Sequence, residues 1–218
     1  MKTFSFYAKI RIDMRQEHAK KTMYYAENPE SQHDFKEIRA TLLGEFFRFA
    51  TDSGVFSKNR IDYGSQVLLD SLDFQAGDSL LDLGCGYGPL GIALAKVQKV
   101  EALLVDINER ALDLARQNAV KNQTEVTVLQ SYLYDQVEVR FDHIISNPPI
   151  RAGKDIVHRI IEEAPRYLKA GGDLTIVIQK KQGAPSAKKK MEAIFGNVET
   201  LKKDKGYYVL RSEKNESS

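Results

Sequence analysis

From Ser79 onward, short apolar runs alternate with longer amphipathic stretches. The runs are SLLDL (79–83), EALLVD (101–106), EVTVL (125–129), FDHIIS (141–146) and DLTIVIQ (173–179). Between them lie LGIALAKV, ERALDLARQNAVKN and DIVHRIIEEAPRYLKAGG, which read as helices. Strands separated by helices of this length specify a parallel sheet covered on both faces, so the fold class is α/β. In the third stretch Pro165 is expected to open a new short turn of helix, which Gly171 and Gly172 then end. A last helix, SAKKKMEAIF, precedes NVETLKK and GYYVLRSE, two strands joined at Asp204 to Gly206. A turn that short permits an antiparallel edge.

Ahead of this alternation, IRATLL, Gly44 and EFFRFAT predict a β-hairpin or a pair of short strands. Val67, Leu68 and Leu72 predict a helix within Ile61 to Phe74. Residues 1 to about 30 show weak periodicity and end in the turn-rich AENPES, as an arm would. The expected division is an arm with a small β appendage over 1–60 and a main domain over 61–218.

Composition narrows the class. A chain of 218 residues with 42% hydrophobic and 28% charged side chains fits a globular protein. No stretch approaches the roughly 20 apolar residues of a membrane span, and the first residues lack a cleavable leader pattern. A cytoplasmic protein is expected, with no membrane partner. Cys85 stands alone among cysteines, and the histidines at 18, 33, 143 and 158 have no metal-ligand spacing with it, so no metal is expected. The net charge of +2 is small but uneven: Lys180 to Lys205 contains eight lysines against Glu192, Glu199 and Asp204. That excess reads as a solvated face or as a phosphate-facing patch.

The chemistry begins at LLDLGCGYGPLG, which sets Gly84, Gly86, Gly88 and Gly91 between the first core strand and a helix. Glycines there let a ligand approach the backbone where helix N–H groups point outward. Gly86, Gly88 and Gly91 match the dinucleotide spacing, and Asp106 lies twenty residues past Gly86, so a nicotinamide-dinucleotide enzyme is one reading. Two details favour S-adenosylmethionine. Asp82, at the strand end, suits the cationic methionyl end of a ligand without pyrophosphate. Asp106 can accept both ribose hydroxyls, with Ile107 packing on adenine. For either acid the plainer role is a helix cap. Cys85 fits as a small side chain between glycines, since no activating base is recognisable nearby.

After FDHIIS the chain reads SNPPIRAGK. Consecutive prolines fix φ and supply no N–H, leaving a stiff segment rich in carbonyl acceptors beside the same sheet edge. Together LDLGCGYG, VDIN and SNPP resemble class I S-adenosylmethionine-dependent methyltransferases that modify planar exocyclic or amide nitrogens. The resemblance implies a Rossmann-like, doubly wound, seven-stranded, mostly parallel sheet with an antiparallel last strand. It also implies that Asn147 and the carbonyl of Pro148, stiffened by Pro149, accept hydrogen bonds from the target NH2. YYAENPES, TDSGVFSKNRIDYGSQVLL and SNPP followed by AGK are similar to the RsmC-like family of small-subunit ribosomal RNA guanine-N2 methyltransferases, in a short form with one catalytic domain. That likeness implies ribosomal RNA or a small-subunit assembly intermediate as partner. It sets Phe56 and Ser57 over the cofactor, makes the Asp62 to Ser65 stretch a further candidate, and has Ser131 and Tyr132 flanking the adenine. Where the family commonly has an aromatic residue and a histidine after the prolines, this chain has Ile150 and Arg151. Arg151 and Lys154 then become candidates for phosphate contacts. Two other readings stay open: glutamine N5-methylation in a translation factor, and a non-catalytic RNA-binding assembly protein.

Overall fold

A computed structural model describes residues 34–53, 60–148 and 153–215. The amphipathic alternation builds one seven-stranded sheet from β3 (Ser79–Leu83), β4 (Glu101–Asp106), β5 (Thr127–Gln130), β6 (Phe141–Ser146), β7 (Leu168–Gln179), β8 (Glu199–Asp204) and β9 (Tyr207–Glu213). Their order is β5-β4-β3-β6-β7-β9-β8, and the first five pair in parallel. The last strand is antiparallel as expected: β9 pairs antiparallel with both β7 and β8, one place in from the edge that β8 forms. Lys205 and Gly206, at φ 43° and 83°, make the tight turn that a two-residue hairpin needs. Val209 and Leu210 then bury β9, while the half-exposed β8 carries Lys202 and Lys203, residues that suit an edge.

Successive strand residues face opposite layers. Leu80 and Leu104 pack with α1 (Tyr63–Leu69), α2 (Pro89–Gln98) and α3 (Glu109–Lys121), whereas Leu81, Leu83, Leu103 and Val105 pack with α4 (Lys154–Tyr167) and α5 (Ala184–Phe195). The hairpin of β1 (Lys36–Leu42) and β2 (Glu45–Thr51) forms its own two-stranded sheet and buries Phe47 and Phe49 in the first layer. Each buried ring contributes roughly 1.5–3 kcal/mol. The open edge of β2 is covered by two asparagines one turn apart, Asn118 on α3 and Asn122 capping its end. Asn118 pairs with the N–H and carbonyl of Ala50, at 2.6 and 3.0 Å, and Asn122 does the same for Arg48, at 3.0 and 2.8 Å. Asn118 also donates to the Tyr87 carbonyl, at 2.9 Å, which ties the hairpin to the glycine loop.

Two expected boundaries shift. The helix expected within Ile61 to Phe74 closes at Leu69, because the Asp70 and Ser71 N–H groups and the Ser71 hydroxyl turn back onto the last helical carbonyls. Pro165 does not open a new turn but lies inside α4, in its last turn, where the hydrogen bond it removes from the ladder is followed by only two more helical residues. Lys214 Nζ donates to the carbonyls of Pro165 and Leu168, at 2.9 and 3.2 Å, satisfying that helix end. Gly171 and Gly172 do not end the helix; they form an irregular part of β7. A Cβ at Gly172 would come within 2.7 Å of the Asp142 carbonyl, so glycine lets β7 pass close to β6.

Candidate active site

The strand order reverses between β3 and β6, so a crevice opens at their carboxyl ends. Three segments meet there: the glycine loop after β3, Asp106 at the end of β4, and Asn147–Pro148 after β6. Side-chain and backbone hydrogen bonds hold the strand ends together. The Gly84 and Cys85 N–H groups both donate to the Val105 carbonyl at 2.9 Å, and the Ser146 hydroxyl donates to the Leu83 carbonyl at 2.7 Å.

The glycines divide by what surrounds them. At Gly84 and Gly86, both at positive φ, a Cβ would meet nothing within 4 Å, so the backbone there presents an open cradle. At Gly88 and Gly91 it would strike packed side chains: Ile92 Cδ1 at 2.8 Å and Leu104 Cδ1 at 2.6 Å, respectively. Those two let α2 settle against β4.

Asp82 takes the plainer role weighed for it, a helix cap, with one oxygen and leaves the other over. Its Oδ2 accepts from the Gly91 N–H at 2.9 Å, standing in for the side-chain cap that Gly88, at the helix start, cannot supply. Its Oδ1 is buried and has no hydrogen-bond partner among the described residues. Burial, opposed in part by the Gly91 bond and reinforced by the charge of Asp106, pushes its pKa up to about 7. Asp106 accepts from Gly86 N–H through Oδ2 and from Asn108 N–H through Oδ1, both at 2.9 Å, and burial raises its pKa. Each of its oxygens retains a lone pair for a hydroxyl. An orphaned carboxylate oxygen beside an open glycine cradle fits a ligand with a cationic end and a ribose, and opposes a pyrophosphate. These residues fit S-adenosylmethionine.

Cys85 is buried, its thiol donates to the Gly86 carbonyl at 3.4 Å, and burial with the nearby Asp106 and Asp82 charges keeps it protonated. Ile107 is half-buried beside Asp106, with its carbonyl accepting from Gln130 at 3.0 Å. Ser131 commits its hydroxyl to its own loop, donating to the Leu133 carbonyl and accepting from Gln136 N–H, while its N–H donates to the Asp106 carbonyl. The ring of Tyr132 lies under the Arg159 guanidinium, 5.0 Å from ring centroid to Cζ.

Asn147 donates from Nδ2 to Asp62 Oδ2 at 2.5 Å and to Ser65 Oγ at 2.9 Å. With the buried Pro148 it lines a cleft of about 290 Å³, whose walls include Asp62, Lys154, Gln179, Lys181 and Tyr207. Lys154 is the first residue of α4. Phe56, Ser57, Pro149, Ile150 and Arg151 lie outside the described residues. The wall of Val177 to Gln179, Lys181, Gln182 and Tyr207 escaped sequence reasoning; the lysine run was the one signal for Lys181, and nothing marked Tyr207. Of that run, Lys190 pairs with Glu162 and Lys202 with Asp70, so part of it serves the fold. Among the described residues no helix is long and apolar enough to cross a membrane, and no group of three metal-ligating side chains gathers.

Residues 46–211 match the family described as methyltransferase small domain. Uncharacterized protein YbxB of Bacillus subtilis (strain 168) is 45% identical over 196 residues, covering 88% of this chain and 98% of that one. Ribosomal RNA small subunit methyltransferase C of Escherichia coli (strain K12 / DH10B) is 34% identical over 164 residues, 73% of this chain and 47% of its own. The chain thus spans about half the length of that relative. Among solved structures, the Thermus thermophilus 16S rRNA N2 G1207 methyltransferase (RsmC), in complex with AdoMet and guanosine, superposes with a TM-score of 0.77 at 28% identity, covering 83% of this chain and 51% of that one. The chain belongs to the methyltransferase small domain family, as an RsmC-like, class I S-adenosylmethionine-dependent methyltransferase.

Proposed function

We propose that this methyltransferase modifies the exocyclic N2 of a guanine in small-subunit ribosomal RNA, in the mature subunit or an assembly intermediate. The observation that carries the reading is Asn147, a residue of the cleft wall whose NH2 is taken by Asp62 and Ser65, which leaves its carbonyl oxygen as the acceptor for an incoming amine. An amine conjugated to a purine ring is a poor nucleophile. A fixed oxygen that accepts one of its hydrogens aims the nitrogen and stabilises the positive charge growing on it. S-adenosylmethionine, when bound, supplies an electrophilic methyl group. Asp82 and Asp106 bind its charged and hydroxyl-bearing parts, while Asn147 orients the acceptor.

The cleft also favours RNA. Lys154 and Lys181 supply positive charge for backbone phosphates, and the half-buried Tyr207 offers a ring in the wall of the same cleft. The relatives support the same direction, since RsmC is a ribosomal RNA methyltransferase by name and its Thermus thermophilus structure holds guanosine.

The test is transfer of labelled methyl to small subunits from cells lacking this protein, followed by nucleoside analysis. N2-methylguanosine in nuclease-sensitive material is the expected product, and Asn147→Ala abolishes it while cofactor binding persists. Label that resists nuclease but yields to protease would replace this reading with glutamine methylation. RNA binding without turnover would replace it with the assembly role.

A further inference from the structure

We infer that Asp62 is a positioning residue that sets which way the Asn147 carboxamide faces; the inference rests on the methyl-transfer reading above. A carboxamide is nearly symmetrical in shape, and only hydrogen-bond partners decide which end is oxygen. Here the partners leave one solution. An ionised Asp62 can only accept. Ser65 Oγ spends its one hydrogen on Asp62 Oδ2, at 2.8 Å, and so turns lone pairs toward Asn147. Both neighbours therefore require the NH2, at 2.5 and 2.9 Å, and the carbonyl oxygen is left for a donor entering the cleft. Among the described residues nothing donates to it.

The carboxylate is itself immobilised. It caps α1 through the Gly64 and Ser65 N–H groups, at 3.0 and 2.9 Å. The start of α1 is pinned in turn: Tyr63 donates to Asp204 at 2.7 Å, and the Tyr207 ring lies so close that a Cβ at Gly64 would fall 2.7 Å from its Cε1. A charge hydrogen-bonded to the NH2 end also polarises the amide and strengthens its oxygen as an acceptor. An element 85 residues upstream thus orients the group that holds the substrate nitrogen.

A mere helix cap would show none of this coupling, and substitutions separate the two. Asp62→Ser keeps a capping side chain but is too short to reach Asn147; Asp62→Asn keeps the length and one of the two capping acceptors but loses the acceptor-only character. Both should lower kcat about 100-fold with KM for RNA nearly unchanged and melting temperature shifted by only a few degrees. The exchanged pair Asp62→Asn with Asn147→Asp restores a donor–acceptor couple with an oxygen facing the cleft, and should recover at least about tenfold over either single variant. Selective 15N labelling of asparagine supplies a readout that needs no turnover. The Asn147 side-chain amide, identified by its loss in Asn147→Ala, should be shifted downfield and slow to exchange in the native protein and revert in Asp62→Ser. An amide signal indifferent to Asp62→Ser overturns the positioning role whatever the substrate proves to be. Full kcat in both single variants does the same, whereas a native protein that methylates no small-subunit RNA removes the substrate reading and leaves the amide signal to decide.

Discussion

Replacing Asp82 with asparagine should strengthen the ligand-free fold at pH 8 and weaken cofactor binding at the same pH. Asp82 is 1% exposed and one of its carboxyl oxygens has no partner among the described residues, so its pKa rises from 3.8 to about 7. Because the folded state holds this proton more tightly than the unfolded one, stability falls as pH climbs from about 4 to about 7. The loss approaches about 4 kcal/mol once the group is ionised, at about 1.4 kcal/mol per pH unit. Asparagine keeps an oxygen for the Gly91 N–H and carries no charge, though its NH2 then lacks a partner at a cost of about 1–3 kcal/mol. The net gain expected at pH 8 is therefore about 1–3 kcal/mol, vanishing or reversing at pH 5, where Asp82 is already protonated. Cofactor binding moves the other way, since a cation seated at Oδ1 loses a charge-assisted bond of about 1.5–3 kcal/mol, a weakening of roughly ten- to a hundredfold. Urea denaturation at the two pH values and calorimetric titration with S-adenosylmethionine measure both quantities. Equal destabilisation at pH 5 and pH 8, or undiminished affinity at pH 8, would refute the reasoning.

Near the amino ends of the central strands, burial works against a charge on His143, but hydrogen bonds to Asp173 and Asp78, at 2.7 and 3.1 Å, and their charges together raise its pKa above 6.5. That stabilisation is complete below about pH 6.5 and disappears as pH rises through the folded-state value, so His143→Gln should flatten the stability profile above about pH 6.5. Asn118→Leu strands the Ala50 N–H and two carbonyls, and should cost about 3 kcal/mol or more, with faster amide exchange at Ala50 as its local signature. Gly91→Ala places a methyl group 2.6 Å from the fully buried Leu104 and should destabilise by about 1–3 kcal/mol; a double-mutant cycle with Leu104→Ala should show partial recovery.

The alternation of strands and helices was readable because side-chain periodicity is a local property: SLLDL, EALLVD and FDHIIS each became a strand. Turn chemistry is local too, so the hairpin at Gly44 and the tight connection at Lys205–Gly206 could be placed without coordinates. Pro165 and Gly171–Gly172 misled for a related reason. Their backbone preferences are real, but Lys214 satisfies the helix end at one and the close passage of β6 uses the other, and both partners are distant in sequence.

By itself, the sequence determined that a glycine loop, an acid twenty residues on and an Asn-Pro pair would each end a strand. Parallel strands then carry all three to one edge of the sheet. Only the tertiary structure decided how the individual atoms divide their work. Asp82 gives one oxygen to a helix and leaves the other without a partner among the described residues, Asn147 turns its NH2 to Asp62, and Tyr207 becomes a wall of the cleft. Hydrogen-bond direction depends on which groups meet, and the groups that meet here are joined by the order of strands in the sheet, which no local pattern encodes.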